Sequence, residues 1–332
     1  MNLGELRLAD VASALREGAA LRAKQDIQPI ARALRDRAGP SRNGDDCAAL
    51  PDPDGYTLIA AEGMLPAFAE AEPFFAGFCA VMTNVSDIAA MGGRPRAIVD
   101  VLFAGPDRAN TAAILEGLCA GSETFGVPIV GGHTARSAER SYLSAAIVGR
   151  ARRLITSFDA RPGDQLLACV DLRGRFRGAT ANFDAVSGAD PVRLRAQLDL
   201  LPQLAEAGLV HAGKDISNAG LVGTLLMLLE TSGCGALLDL DALPAPAAAS
   251  GDALRWLRAF PSFGYLLAAR PEHVPGVIAR FRDHGVDAAV VAELDASGAL
   301  DLRSRGERIR YWNLDRQALL GFGAGSTETK GD

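Results

Sequence analysis

Lysine is nearly missing from this chain. Of its 34 basic residues only Lys24, Lys214 and Lys330 are lysines. Arginine serves wherever a generic cation suffices, so a compact ammonium at 24 or 214 stands out against the usual guanidinium fork. Cysteine is sparse as well. Cys47, Cys79, Cys119, Cys169 and Cys234 are widely spaced, odd in number and form no Cys-x-x-Cys pair. They read as reduced, mostly buried small hydrophobes, which sets aside zinc ribbons and disulfide frameworks. The net charge is −6, and no arginine cluster is dense enough to track a phosphodiester backbone, so no nucleic-acid partner is expected. Long uncharged runs are lacking too. Stretches such as Pro73–Ser86 fall short of the about 20 residues of a membrane span, and Met1–Arg22 holds no apolar core of a signal peptide. No membrane partner and a cytoplasmic location are the expectation. No solenoid repeat is found, and no Gly-x-Gly-x-x-Gly follows the first strand, which excludes a nicotinamide-dinucleotide fold.

What is present suits a globular protein: 48% hydrophobic and 22% charged residues over 332 positions, enough for about two domains. Residues 5–23 alternate at helical spacing, and Ile27–Arg37 reads as a second short helix. Gly39–Asp46 is a loop rich in Gly, Pro, Ser and Asn. Tyr56–Ala61 is a buried strand. Pro73–Met91 is a long helix, with proline in its first turn and Gly92-Gly93 as its stop. Ala97–Phe103, Val127–Val130 and Tyr142–Gly149 are strands, and Thr111–Phe125 is a helix. The first half is therefore a mixed α/β layer. A boundary near 150–160 divides an N-terminal domain, 1–152, from a C-terminal one, 153–325, with 326–332 as a tail. In the second half strands lie at Gln165–Leu172, Ala236–Leu240, Tyr265–Ala269, Ala288–Leu294 and Ala299–Leu302. Helices lie near 191–207, Asn218–Thr231 and Pro271–His284. Gly321–Asp332 reads as a loose end.

Polar segments interrupt these apolar elements. Asn43-Gly44-Asp45-Asp46 sets two carboxylates beside a glycine, either an ordinary turn or a source of hard oxygen ligands. Glu62 follows a strand. Thr83, Asn84 and Asp87 share one face of an otherwise apolar helix. A carboxylate buried there must be paired, hydrogen-bonded or metal-bound; the alternative is that the stripe faces water. Gly131-Gly132 lets a ligand approach the backbone closely. His133 after it is open to three readings: metal ligand, phosphate donor or satisfied loop histidine. Lys214-Asp215-Ile216-Ser217-Asn218 precedes a helix that Ser217 or Asn218 can cap. Asp215 lies just before the end of that helix that favours a phosphate, or it simply neutralises the dipole. Arg173–Gly178 is a basic loop, facing either an anion or solvent.

In order, GDDCAAL, a strand ending in an acid, NVSDIAAMGGRP, VPIVGGHT, RPGDQLL, DISNAGLVGTLLMLLE and SFGYLLA closely resemble the superfamily of aminoimidazole ribonucleotide synthetase, thiamine-monophosphate kinase, selenophosphate synthetase and the hydrogenase-maturation carbamoyl dehydratase. The resemblance spans about residues 24–300 and is strongest to AIR-synthase-related proteins. It implies an α/β plus α+β fold of two domains, the N-terminal one pairing its strands into a dimer β-barrel in a homodimer. It also implies ATP, with Mg2+ held by Asp45, Asp87 and Asp215, with Asp46 adjacent and Glu62 where the family usually has Asp. Asn84, Gly131, Gly132, Ser217 and Asn218 would line the nucleotide. Lys24, Lys214 and His133 would serve the transferred phosphate or a small-molecule acceptor. The implied activity is ATP-dependent phosphoryl transfer that activates an amide or carbonyl oxygen, as in ligases and kinases. Departures shape the alternatives. Asn218-Ala219 replaces the kinase branch's Asp-Gly, and His133 replaces its Asp. His133 matches the selenophosphate branch, yet no cysteine precedes Lys24. A nucleotide-binding regulatory or scaffold subunit is the competing class.

Overall fold

A computed structural model describes residues 1–34, 37, 41–137, 139–261 and 264–323. Residues 35–36 of the second expected helix, 39–40 of the following loop, Ser262-Phe263 of SFGYLLA, and Lys330 with the rest of 324–332 lie outside the described residues. The chain forms two compact units that interleave in sequence. One comprises 1–45, 155–187 and 207–332, the other 46–154 and 188–206.

The first unit opens with α1 (Leu8–Arg16), α2 (Ala19–Gln25) and α3 (Gln28–Leu34). The helical spacing of 5–23 is thus cut in two. Gly18 is the break: it turns extended, at φ −61 and ψ 133, as the residue before α2. Helix α1 buries Leu8, Val11, Ala12 and Leu15.

The second unit holds β1 (Ala48–Asp52), β2 (Gly55–Met64), α4 (Pro66–Ala71), α5 (Pro73–Ala90), β3 (Arg94–Ala104), α6 (Arg108–Phe125), β4 (Ile129–Arg136), β5 (Tyr142–Ala151) and, later in the chain, α7 (Pro191–Glu206). Its sheet runs β1-β2-β5-β3-β4, antiparallel except for the parallel β3–β4 pair. Strand alternation puts Leu58, Ala60, Ile98, Leu102, Leu143, Ala145 and Ile147 on the face that α5 covers. Helix α5 is apolar nearly all round, as a core helix must be. By length and composition it could cross a membrane, but 83% of it is buried inside the fold. It lies on α6 through glycines, with Gly77 over the Ile114 carbonyl and Gly117 over that of Phe74. Helix α6 starts earlier than its apolar spacing shows, because the Asp107 carboxylate accepts from the Ala109 and Asn110 N–H groups. Arg94 ties the sheet to α7 through Asp199 and Glu206, each at 2.6 Å.

The VPIVGGHT segment is not a short strand followed by a loop. Strand β4 continues through both glycines and His133 to Arg136. The backbone partners of β3 stabilise glycines that are poor strand formers alone. The opposite face of this sheet leaves Leu50, Ile59, Val99, Val101, Phe103, Tyr142 and Val148 exposed. The sheet is open, and no closed barrel occurs among the described residues.

The first unit resumes with β6 (Gln165–Val170), β7 (Arg175–Phe176), β8 (Phe183–Asp184), β9 (Ala212–Asp215), α8 (Gly220–Ser232), β10 (Gly235–Asp239), α9 (Ala253–Leu257), β11 (Gly264–Ala269), α10 (Val274–Asp283), β12 (Asp287–Asp295), β13 (Ala299–Ser304) and β14 (Glu307–Asn313). The sheet order is β14-β13-β10-β12-β6-β11-β9. Strand β6 is buried throughout after its first residue, and burial pushes the Cys169 thiol far up, so this cysteine is the inert hydrophobe its neighbours suggested.

Asp184 is a buried acid with full compensation. Burial alone would raise its pKa. The Ser187 and Val186 N–H groups, at 2.8 and 3.1 Å, and Arg177, at 3.0 Å, outweigh that and hold the carboxyl below its ordinary range. A depressed folded-state pKa gives stability that is complete above the unfolded value of about 3.9 and is lost as pH falls through the folded value. Asp184→Asn should therefore cost roughly 2–3 kcal/mol at pH 7. The gap from the parent should narrow below about pH 4. Urea unfolding at pH 7 and pH 3 reads this directly; an equal gap at both would exclude the carboxylate as its source.

Candidate functional site

In the second unit the acids gather on the helix-covered side of the sheet. Glu62 lies within β2, which extends two residues past it. It is in register with Ala145, which is in register with Asp100, itself beside Gly132. Asn84 is fully buried above this row. Its Nδ2 donates to the carbonyls of Ala80 at 2.8 Å and Ala145 at 3.2 Å. Its Oδ1 has no hydrogen-bond partner among the described residues. Of the stripe Thr83, Asn84 and Asp87, the last two are buried and Thr83 is half-buried, so it does not simply face water. The carboxylate oxygens of Asp87 and Asp46 lie within 4.8 Å of each other.

Asp100 went unread in the sequence. It is the one charge in AIVDVLFA, at an alternation step that points it to the core side, and that was the available signal. Burial raises its pKa. Gly132 is glycine for a local reason: a Cβ there would lie 2.3 Å from the Asp100 carbonyl oxygen and 2.6 Å from its carboxylate.

Gly131 and His133 belong to the other face. His133 is in register with Val101, is exposed, and its ring lies 6.3 Å from that of Phe103. The sheet therefore separates His133 from Asp87.

In the first unit, Asp45 is engaged locally: its Oδ2 accepts the Ser157 N–H at 2.9 Å. Lys24 is half-buried in the last turn of α2. Lys214 and Asp215 are buried in β9, where consecutive side chains leave on opposite faces. Neither Ser217 nor Asn218 caps α8. The residue before that helix is Ala219, at φ 125, and no side-chain cap is made. The chain turns sharply there because Gly220, at φ +66, lies against Leu257, where a Cβ would come 2.1 Å from the carbonyl oxygen. The Thr224 hydroxyl instead accepts the Ser217 N–H at 3.2 Å. Two arginines of the 173–178 loop serve the fold, while Arg175 is exposed. Arg173 pairs with Asp171 and Arg177 with Asp184, while Arg255 stacks over Phe176 at 4.1 Å and donates to the Gly178 and Thr180 carbonyls.

Sequence profiles of the AIR synthase related protein match this chain twice: the N-terminal domain over residues 44–151 and the C-terminal domain over 163–304. An uncharacterised protein of Synechocystis sp. is 46% identical over 95% of this chain and 98% of its own length. The chain belongs to the AIR synthase related family. Thiamine-monophosphate kinase of Synechococcus elongatus is 29% identical over 83% of this chain and 90% of its own length. Among solved structures, T. maritima PurL complexed with ATP has the same fold at a TM-score of 0.71 and 20% identity, covering 98% of this chain. This AIR synthase related protein spans only 53% of that PurL chain. The two-domain fold with mixed α/β sheets is thus that of the family.

Proposed function

We propose that this AIR synthase related protein binds ATP with Mg2+ and transfers a phosphoryl group to a small-molecule acceptor, activating an amide or carbonyl oxygen. The observation that carries the reading is the approach of Asp46 to buried Asp87. Two carboxylates within 4.8 Å repel by about 3 kcal/mol at an effective dielectric near 20. A divalent cation between them reverses the sign. Carboxylate oxygens are the donors that Mg2+ takes alongside phosphate oxygens, so the donor set fits this ion. In this reading Asp46 and Asp87 hold the metal, with Asp215 and Glu62 as further ligands, and Asp45 holds the loop through Ser157. Bound Mg2+ would neutralise developing charge on the transferred phosphate. Lys24 and Lys214 supply fixed positive charge for the same purpose. Gly131, Gly132, Ser217 and Asn218 would line the nucleotide, and Asn84, three residues before Asp87, shares its helix face.

The test is calorimetric titration with Mn2+ and a non-hydrolysable ATP analogue, followed by phosphate release with candidate amides. Failure to bind the metal–nucleotide pair below millimolar concentration would reject the reading. The position of His133, across the sheet from Asp87, favours a second reading: a module that holds nucleotide without turnover. Tight binding with no phosphate release from any acceptor would select it. A cytoplasmic setting goes with either reading.

We also propose that a second copy covers the exposed apolar sheet face and closes a barrel with it. Leu50, Ile59, Val99, Val101 and Phe103 on one contiguous surface form a patch of the kind that marks protein contacts. Sedimentation should give a dimer at micromolar concentration, and Val101→Lys with Phe103→Asp should give a folded monomer. A monomeric parent would refute this.

A further inference from the structure

Apart from Thr224, helix α8 is apolar until its last three residues, Glu230, Thr231 and Ser232. A carboxylate at the negative end of a helix is unfavourably placed, and Glu230 is buried besides. What it does there is hold the end of the described chain. Its Oε1 accepts the Leu319 and Gly321 N–H groups at 2.9 and 3.1 Å, and its Oε2 accepts that of Leu320 at 2.7 Å. From the other side Gln28 donates to the carbonyls of Ala318 and Leu319. Residues 318–321 are therefore a strap, fixed by charge-assisted bonds, so the expected loose end, 321–332, is tied down at its first residue.

The strap delivers Phe322 to Gly44. At φ +113 Gly44 needs glycine, and a Cβ there would come 2.8 Å from Phe322 Cβ and Cγ. The remainder of the same helix end acts on the opposite flank of the loop. The Thr231 and Ser232 hydroxyls both lie 2.6 Å from the Ser157 carbonyl. Ser157 in turn gives its N–H to Asp45 at 2.9 Å and directs its hydroxyl to the Gly44 carbonyl at 3.5 Å. Beside it the Arg42 guanidinium stacks 3.8 Å from the Phe158 ring.

We propose that the last turn of α8, Glu230-Thr231-Ser232, is a clamp that sets the position of the loop delivering Asp46. Glu230 acts through the strap and Phe322, and Thr231 and Ser232 act through Ser157. All are positioning residues. The clamp itself stands on the contacts above; its effect on cation binding rests on the function proposed for Asp46. A loop fixed in advance spares the ligand the cost of ordering it.

The experiment is hydrogen exchange on the full chain, with Mn2+ titration in parallel, for the parent, Phe322→Ala, Phe322→Leu, Thr231→Val and Glu230→Gln. In Phe322→Ala and Thr231→Val the amides of 42–47 should exchange about tenfold faster, as a locally released segment does, with α5 and α6 unchanged. Mn2+ affinity should fall by roughly fivefold to tenfold, since the loop must then be ordered on binding. Phe322→Leu should restore most of both. Glu230→Gln should release 319–321 as well. Phe322→Ala and Thr231→Val are milder than the charge removal and keep the test open if Glu230→Gln fails to fold. Unchanged protection of 42–47 in both milder variants overturns the clamp. Faster exchange there, with a parent that binds no Mn2+, upholds the clamp and rejects the metal reading of Asp46.

Discussion

Asp87→Ala should weaken binding of Mn2+ with an ATP analogue by roughly 100-fold or more while leaving the fold cooperative. The loss of an outer-shell partner already costs a metal site about 10- to 100-fold, and Asp87 is assigned here as a direct ligand. It also has the least freedom to be replaced. It sits on a rigid core helix, buried, with an Asp46 carboxylate oxygen within 4.8 Å. Removing it takes away one of two like charges, which offsets part of what its other contacts contribute, so the apo protein should still unfold cooperatively with its midpoint little changed. That pairing of outcomes, affinity lost with stability kept, distinguishes a ligand from a structural acid. Unchanged affinity, or loss of affinity only through unfolding, would defeat the assignment.

Gly117→Ala should have the largest effect on stability of any single-methyl change in the second unit. Its Cβ would sit 1.9 Å from the Phe74 carbonyl oxygen and 2.8 Å from the Phe78 nitrogen. Neither is the tip of a side chain that could swing away. Gly77 mirrors it, with 2.0 Å to the Ile114 carbonyl oxygen. The helices therefore approach through backbone alone, and α5 is the element that fixes Asn84 and Asp87. The cost should reach or exceed the upper end of the roughly 1–3 kcal/mol typical of overpacking. Gly276→Ala is the control. It lies in α10 with nothing within 4 Å of its Cβ and should gain up to about 1 kcal/mol from helix propensity and the stiffer unfolded chain. Thermal unfolding of both variants settles the comparison; similar midpoints would mean that the helices part easily.

Most of the fold was legible because its core elements carry strong periodic signals. The long apolar run of α5, with proline at its start and two glycines at its end, is an example, and so are the β-branched strands β3 and β5. The elements that went unread are held by partners distant in sequence. Strand β1 contains Pro51, and β9 is only Ala-Gly-Lys-Asp; each exists by pairing, with β2 and β11 respectively. Strand β4 runs through Gly-Gly-His because β3 pairs with it along its length. The acids of the site were visible as interruptions in apolar segments. Which of two neighbours does what was not, since Asp45 and Asp46 differ only in what each meets, Ser157 for one and Asp87 for the other. Glu230 was overlooked because nothing local distinguishes a carboxylate ending a helix from a solvated one.

Helix α7 is packed with residues 46–154 although residues 155–190 separate it from them in the chain. Its Asp199 and Glu206 neutralise Arg94. A gene split between codons 154 and 155 would thus yield a fragment whose Arg94 has lost both anions, and whose α5 and α6 have lost the helix that packs against them. Modular exchange of such a unit between genes requires four crossovers, one at each end of each segment, and its descendants are bound to inherit both segments together.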